Sequence, residues 1–193
     1  LESYPAAYDE VVAVTATDWL DKPWEETNFG DWVELAAPGV GIYSTVWDDS
    51  YGYMSGTSMA APHVAGVASL IWSKFPNMTR DQVRAQLRQS ADDLGDPGFD
   101  VYYGYGRINA RNAVEQVPPD HDLLILNCKT PAYVKPNTTA IINATVLNFG
   151  VRNESDTTVQ LLINNTIVDS KVVGFLPSGA STSFSCFWHP ETE

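Results

Sequence analysis

One serine in this sequence stands where it could do nucleophilic chemistry or merely open a helix. Ser58 lies in SGTSMAAPHVAGVASLI (residues 55–71), between a glycine turn and a run of small and apolar residues. A serine nucleophile needs an exposed hydroxyl, a base to take its proton, and donors aimed at the developing oxyanion. Gly56 permits a tight approach, and a helix opening at Ser58 presents free N–H groups that favour negative charge. Met59, Ala60 and Ala61 are flexible or small neighbours that let the turn sit close to other backbone. Serine is equally at home as a plain N-cap. Local chemistry leaves both roles open.

The base is the harder question. The histidines are His63, His121 and His189, and all three follow Ser58. His63 stands five residues on, and positions i and i+5 of a helix do not share a face. The nucleophile elbow G-x-S-x-G places acid and base after the serine, and GTSMA fits it loosely, with Ala60 for the last glycine. Asp92, Asp93 or Asp96 with His121 would satisfy that order, but His121 falls in a proline-rich linker. Metal-spaced His/Cys sets are absent. ADDLGDPGFD (91–100) lacks the D-x-D-x-D-G spacing of a calcium loop and reads as an acidic surface turn.

The elements that must hold Ser58 follow from periodicity. VVAVTAT (11–17) is a β-branched apolar run, as expected of a strand buried on both faces. WVELAAPGV (32–40) reads as a second strand and GIYSTV (41–46) as a third. Met59, Val64, Val67, Ala68, Leu70 and Ile71 predict a mostly buried helix running to about Phe75, with Pro62 tolerated in its first turn. Thr79 and Gln82 are spaced as a capping box ahead of the stripe Val83, Leu87, Ala91. Asn109 caps a last short helix to about Gln116. EQVPPDHD then has the composition of a linker. Beyond it, DLLILNCKT, TAIINATVLNFG, TTVQLLINNTIV and STSFSCFW are strand-like segments separated by turns, as in an immunoglobulin-type sandwich.

Composition bounds the function classes. Of 193 residues 44% are hydrophobic, which gives a globular chain long enough for two small domains. The net charge of −13 repels phosphate backbones and argues against nucleic acid as a partner. No segment is apolar enough to span a membrane, and LESYPAAYDE has neither the basic nor the apolar region of a signal peptide. Without an initiator Met the sequence reads as a processed product or a piece of a longer chain. Sequons at Asn77, Asn137, Asn143, Asn153 and Asn164 lean the location outward. Cys128 and Cys186 fit either one disulfide or a pair of buried thiols.

GTSMAAPHVAG resembles the catalytic-serine motif of the subtilisin-like serine proteases, the subtilases. YPAAYDEVVAVTATD, FGDWVELAAPGVGIYST, HVAGVASLIWSKFPNMT and YGYGRINARNAVE resemble subtilase segments in the family's order, so the likeness covers residues 1 to about 117. It implies a partial doubly wound parallel sheet with flanking helices, an α/β fold, over 1–117. Ser58 would be the nucleophile and its own N–H an oxyanion donor, with Gly56 and Thr57 beside the substrate and Ser3 at the start of the S1 pocket floor. His63 would be structural. The resemblance also implies a weak cation site, for calcium or a monovalent ion, on the carbonyls of Ala6, Tyr8 and Val11 with Glu34 as the nearby acid; an ordinary polar loop is the alternative. No organic cofactor is implied, and peptides or proteins are the expected substrate. The family's Asp, His and oxyanion asparagine all precede the segments seen here, so they are expected in a missing N-terminal half, and the chain alone is expected to be inert. Residues 118–193 resemble the CARDB family, an all-β immunoglobulin-like module of bacterial and archaeal surface proteins, through DLLILNCKTP, VKPNTTAIINATVLNFG and the strands after it, with Asn148-Phe149-Gly150 in the place of the family's turn. That family implies a further strand beyond HPETE, and an extracellular or cell-surface location. A catalytically inert surface protein, whose sandwich binds protein or glycan, is the competing reading.

Overall fold

A computed structural model describes residues 4–190. The chain divides into two compact units, residues 1–77 with 86–117, and residues 78–85 with 118–193.

The first unit is built on two parallel strands, β1 (Val14–Thr17) and β2 (Leu35–Pro38), in register from Val14 opposite Leu35 to Thr17 opposite Pro38. Both are almost wholly buried, as a strand run without polar alternation requires. A single parallel bridge, Ala36 to Arg107, extends this sheet on the β2 side. The third strand forms where the sequence placed it. β3 (Ile42–Val46) does not join the parallel sheet but turns back on β4 (Ser50–Met54) as an antiparallel hairpin of its own. Asp48 and Asp49, both at positive φ, make that reversal possible.

Helix α1 (Thr57–Lys74) carries one buried stripe, Ala60, Val64, Val67 and Ile71, at spacings of four, three and four. It packs on β1, β2 and the short helix α3 (Ala110–Glu115). The expectation of a mostly buried helix is corrected here: Leu70 is half exposed and Trp72 nearly so. Three elements cover one side of a cylinder, and the other side meets solvent. Helix α2 (Arg80–Gln89) opens with the expected capping box: Gln82 N donates to Thr79 Oγ1 at 3.3 Å, and Thr79 N to Gln82 Oε1 at 3.0 Å. Asn109 caps α3 by accepting from Asn112 N.

Around the Ala36–Arg107 bridge the carboxylates have assigned partners. Arg107 pairs with Asp21 and, at 2.6 Å, with Asp92, and Asn109 Nδ2 donates to Asp92 at 2.9 Å. The Asn109 bond, helped by Arg107 and opposed by desolvation, holds the Asp92 carboxyl below its ordinary 3.8. A depressed carboxyl contributes stability above 3.8 and loses it as pH falls through the lower folded value. Asn109→Asp retains a helix cap but replaces the donor with a like charge. Acid unfolding of the first unit, followed by circular dichroism, should therefore begin at a higher pH in this variant; an unmoved acid limb would contradict the assignment. Two further aspartates of the 91–100 turn cap backbone, Asp93 accepting from Gly98 N and Asp100 from Tyr102 N and Tyr103 N. Among the described residues no group of three metal-ligating side chains occurs. Gly104 closes this region at φ 63°, where a Cβ would meet the Glu34 carbonyl at 2.2 Å. Gly104→Ala should cost about 2 kcal/mol or more in urea unfolding, through strain and backbone displacement together.

The second unit is a small sandwich. One sheet has the order β5 (Leu123–Lys129), β6 (Ala140–Asn148), β9 (Ser181–Trp188), all antiparallel. The other is the hairpin of β7 (Glu154–Ile163) and β8 (Thr166–Leu176). Sequence reading merged β7 with the start of β8; Asn164 and Asn165, at φ 50° and 61°, break them apart as a tight reversal. Val146, Val173 and Leu176 join the sheets, with Val159 and Phe184 packed against them. A second cluster sets Ala85 and Met78 against Leu147 and Phe149. Asn148 is fully buried and donates to the carbonyls of Arg152 and Leu176, which explains an asparagine in the N-F-G turn. Gly150 follows because a Cβ would meet Asp122 N at 2.7 Å. Cys128 and Cys186 are both free. They sit on β5 and β9 with β6 between them, two strand spacings apart, beyond the reach of a disulfide. All five sequon asparagines are exposed.

Candidate active site

Main-chain bonds set the position of Ser58. Gly39, just past β2, donates to the Thr17 carbonyl at the end of β1 (2.9 Å), and Gly56 donates to the Gly39 carbonyl (2.8 Å). Gly39 has to be glycine, because a Cβ would meet Ala16 Cβ at 2.6 Å and the Gly56 carbonyl at 2.8 Å. Gly56 is at φ 153°, a conformation that side-chain-bearing residues rarely adopt, and its carbonyl accepts from Met59 N and Ala60 N. Helix α1 therefore starts at the carboxyl end of the parallel strands, the edge at which open α/β sheets bind ligands.

Thr57 and Ser58 are the first two helical residues. Their N–H groups have no acceptor within the helix, so both are available to an anion and gain from the helix dipole. The first turn carries no acidic side chain and the last carries Lys74, which leaves that dipole uncompensated at Ser58. The Ser58 side chain is exposed, and among the described residues nothing hydrogen-bonds its hydroxyl. It borders a groove of about 360 Å³ whose other walls are Met59, Pro62 and His63 from α1 and Ile42, Ser44 and Met54 from the hairpin. The β3 half of this wall was read as a strand from sequence, and its β4 partner was not. Its signal was present in the alternation of SYGYM, which reads as an aromatic ladder rather than as a β-branched strand.

His63 is near in the groove but turned to another task. Its Nδ1 lies 2.7 Å from the Met59 carbonyl oxygen, which only accepts, so Nδ1 carries hydrogen and ties the ring to the previous turn. His121 Nδ1 pairs with Glu154 at 2.8 Å, in the second unit, and His189 Nδ1 with Thr139 Oγ1 at 3.3 Å. Asp92 and Asp93, offered as partners of His121, are engaged by Arg107 and Asn109 and by Gly98 N. Glu34 is 5% exposed and ion-paired to Arg88 Nε at 2.7 Å. The Tyr8 carbonyl accepts from Val11 N at 3.0 Å. Ser3 lies outside the described residues.

Comparison with known proteins bears on this geometry. The profile of the Subtilase family matches residues 2–106, and that of CARDB matches residues 120–193. The thermophilic serine proteinase of Bacillus sp. (strain AK1) is 47% identical over 110 residues, 57% of this chain and 26% of that protein. Subtilisin DY of Bacillus licheniformis is 46% identical over 112 residues, 58% of this chain and 40% of its own. The halolysin-like extracellular serine protease Nep of Natrialba magadii is 46% identical over 121 residues, 62% and 22% respectively. The chain thus spans between about a fifth and two fifths of the length of these relatives.

Proposed function

Since this chain belongs to the subtilase family and carries a CARDB module, we propose that Ser58 is the nucleophile of a secreted serine endopeptidase. The observation that carries the reading is an exposed, unbonded hydroxyl on the first turn of α1, at the carboxyl edge of a parallel sheet. Ser58 Oγ attacks the scissile carbonyl carbon and gives its proton to a histidine; that proton passes to the amine as the C–N bond breaks, and water then releases the acyl group. The N–H of Ser58 faces the oxyanion. The histidine and its orienting aspartate come from polypeptide outside these 193 residues. The half-exposed apolar side of α1, with Leu70 on it, offers a surface for that polypeptide. One relative, the protease Nep, is named as extracellular and supports secretion.

A second reading, a surface protein without catalysis, draws on one observation: each of the three histidines is bonded elsewhere. A fluorophosphonate probe separates the two. Labelling of Ser58 is expected only after the chain is combined with a subtilase N-terminal half bearing Asp and His. No labelling in either sample supports the second reading, and labelling of the chain alone revives an internal base.

A further inference from the structure

We propose that the β3–β4 hairpin carries a cation-selecting face, on which a lysine or arginine side chain of the substrate polypeptide stacks. This rests on the reading of Ser58 as a peptide-bond nucleophile and adds the substrate's charge class to it.

The register of the hairpin assigns its two faces. Ile42 opposite Met54 and Ser44 opposite Gly52 lie on the side that walls the groove beside Ser58. Tyr43 opposite Tyr53 and Thr45 opposite Tyr51 form the alternate set, of which Tyr43 and Thr45 also reach the groove. The Tyr43 ring is 4.8 Å from that of Tyr53 and 5.9 Å from that of Tyr51, centroid to centroid. The three are 60%, 74% and 64% exposed, and Trp47 at the tip is 76% exposed. A set of neighbouring rings is thus exposed to water on a two-stranded ribbon. Tyr43 also borders the groove, so the ladder begins where the reacting peptide bond would lie.

Charge decides what the ladder takes. No lysine or arginine occurs between Lys22 and Lys74, while Glu25, Glu26, Asp31, Asp48 and Asp49 do. Asp48 and Asp49 are exposed at the hairpin tip, next to Trp47 in the chain and with Asp49 two residues before Tyr51. An aliphatic side chain would use the ring faces and leave the two carboxylates idle. A guanidinium or ammonium group uses both, through the ring quadrupole and through unlike charge. An acidic peptide is repelled.

The test uses a glycine-serine dodecapeptide carrying three arginines, with its glutamine and glutamate counterparts, at low and high salt. Binding to the 193-residue chain is read by tyrosine fluorescence, and kcat/KM is read in the enzyme assembled with an Asp- and His-bearing N-terminal half. The arginine peptide is expected to be preferred over the glutamine one, with each ring contributing about 2- to 5-fold at an exposed site. The preference should shrink as salt rises. Tyr51→Ala with Tyr53→Ala should bring the arginine-to-glutamine ratio close to one, leave turnover of the glutamine peptide unchanged, and leave fluorophosphonate labelling intact; Tyr51→Phe with Tyr53→Phe should keep the ratio. Equal binding of all three peptides, a preference that survives the double alanine variant, or equal quenching by a neutral oligosaccharide overturns the proposal. Absent labelling with a persisting arginine preference in the binding arm sinks the nucleophile reading alone and leaves the cation-binding face standing.

Discussion

In the assembled enzyme, Ser58→Ala is expected to lower kcat by about 10⁶ while KM stays within a few-fold. The hydroxyl is the only atom removed, and the main chain that positions it is independent of the side chain: Gly39 and Gly56 are joined through backbone groups, and α1 begins at Gly56 whatever residue follows. The first-turn N–H groups also survive, so substrate and oxyanion contacts are retained. A small residual rate above water is therefore expected in the variant, traceable to binding rather than to nucleophilic attack. Progress curves with a fluorogenic peptide, at enzyme concentrations fixed by active-site titration of the parent, measure the loss. A decline of less than a hundredfold would remove Ser58 from the chemistry.

The second large effect concerns stability. Glu34, which is buried, and Arg88, which is partly buried, form an ion pair, 5% and 13% exposed, with Nε to Oε1 at 2.7 Å. The guanidinium also lies 4.7 Å over the Tyr105 ring, and the Glu34 carbonyl accepts from Tyr105 N at 2.9 Å. Arg88→Ala leaves the Glu34 carboxylate in the core without its guanidinium, a change that costs about 3 to 5 kcal/mol where buried pairs are broken from one side. Arg88→Lys keeps the charge and gives up the planar fork and ring contact, so its loss should be smaller. Glu34→Gln combined with Arg88→Met should be milder than Arg88→Ala, because the carboxylate charge is then removed together with the guanidinium. Urea unfolding, with hydrogen exchange of β1 and β2 amides to assign it to the first unit, tests the order. If Arg88→Ala costs under 1 kcal/mol, the pair is solvated in solution and the core assignment fails.

These two results mark where sequence reading reached and where it stopped. The capping box at Thr79 and Gln82 and the cap at Asn109 were legible because their partners stand three residues apart. Ser58 was legible because its motif is contiguous. The Glu34–Arg88 pair joins residues 54 positions apart, and no local pattern announces it. Strand β4 escaped because SYGYM has a central glycine and no β-branched residue. The end of β7 escaped because the Asn164–Asn165 reversal carries no glycine or proline. The exposure of α1 escaped for another reason: hydrophobicity states what a side chain prefers, and only the surrounding elements decide whether it is granted.

The bond from Gly56 to Gly39 has a consequence for how such a protein can diversify. Everything from Val40 to Ser55 leaves the body of the unit at one point and returns to the same point, a closed excursion anchored on both sides of a single amide. Its length, its aromatic content and its acidic tip can all be rewritten while the anchorage of the helix stays put. Selection can thus retune which chains are admitted without disturbing the atom that would cut them.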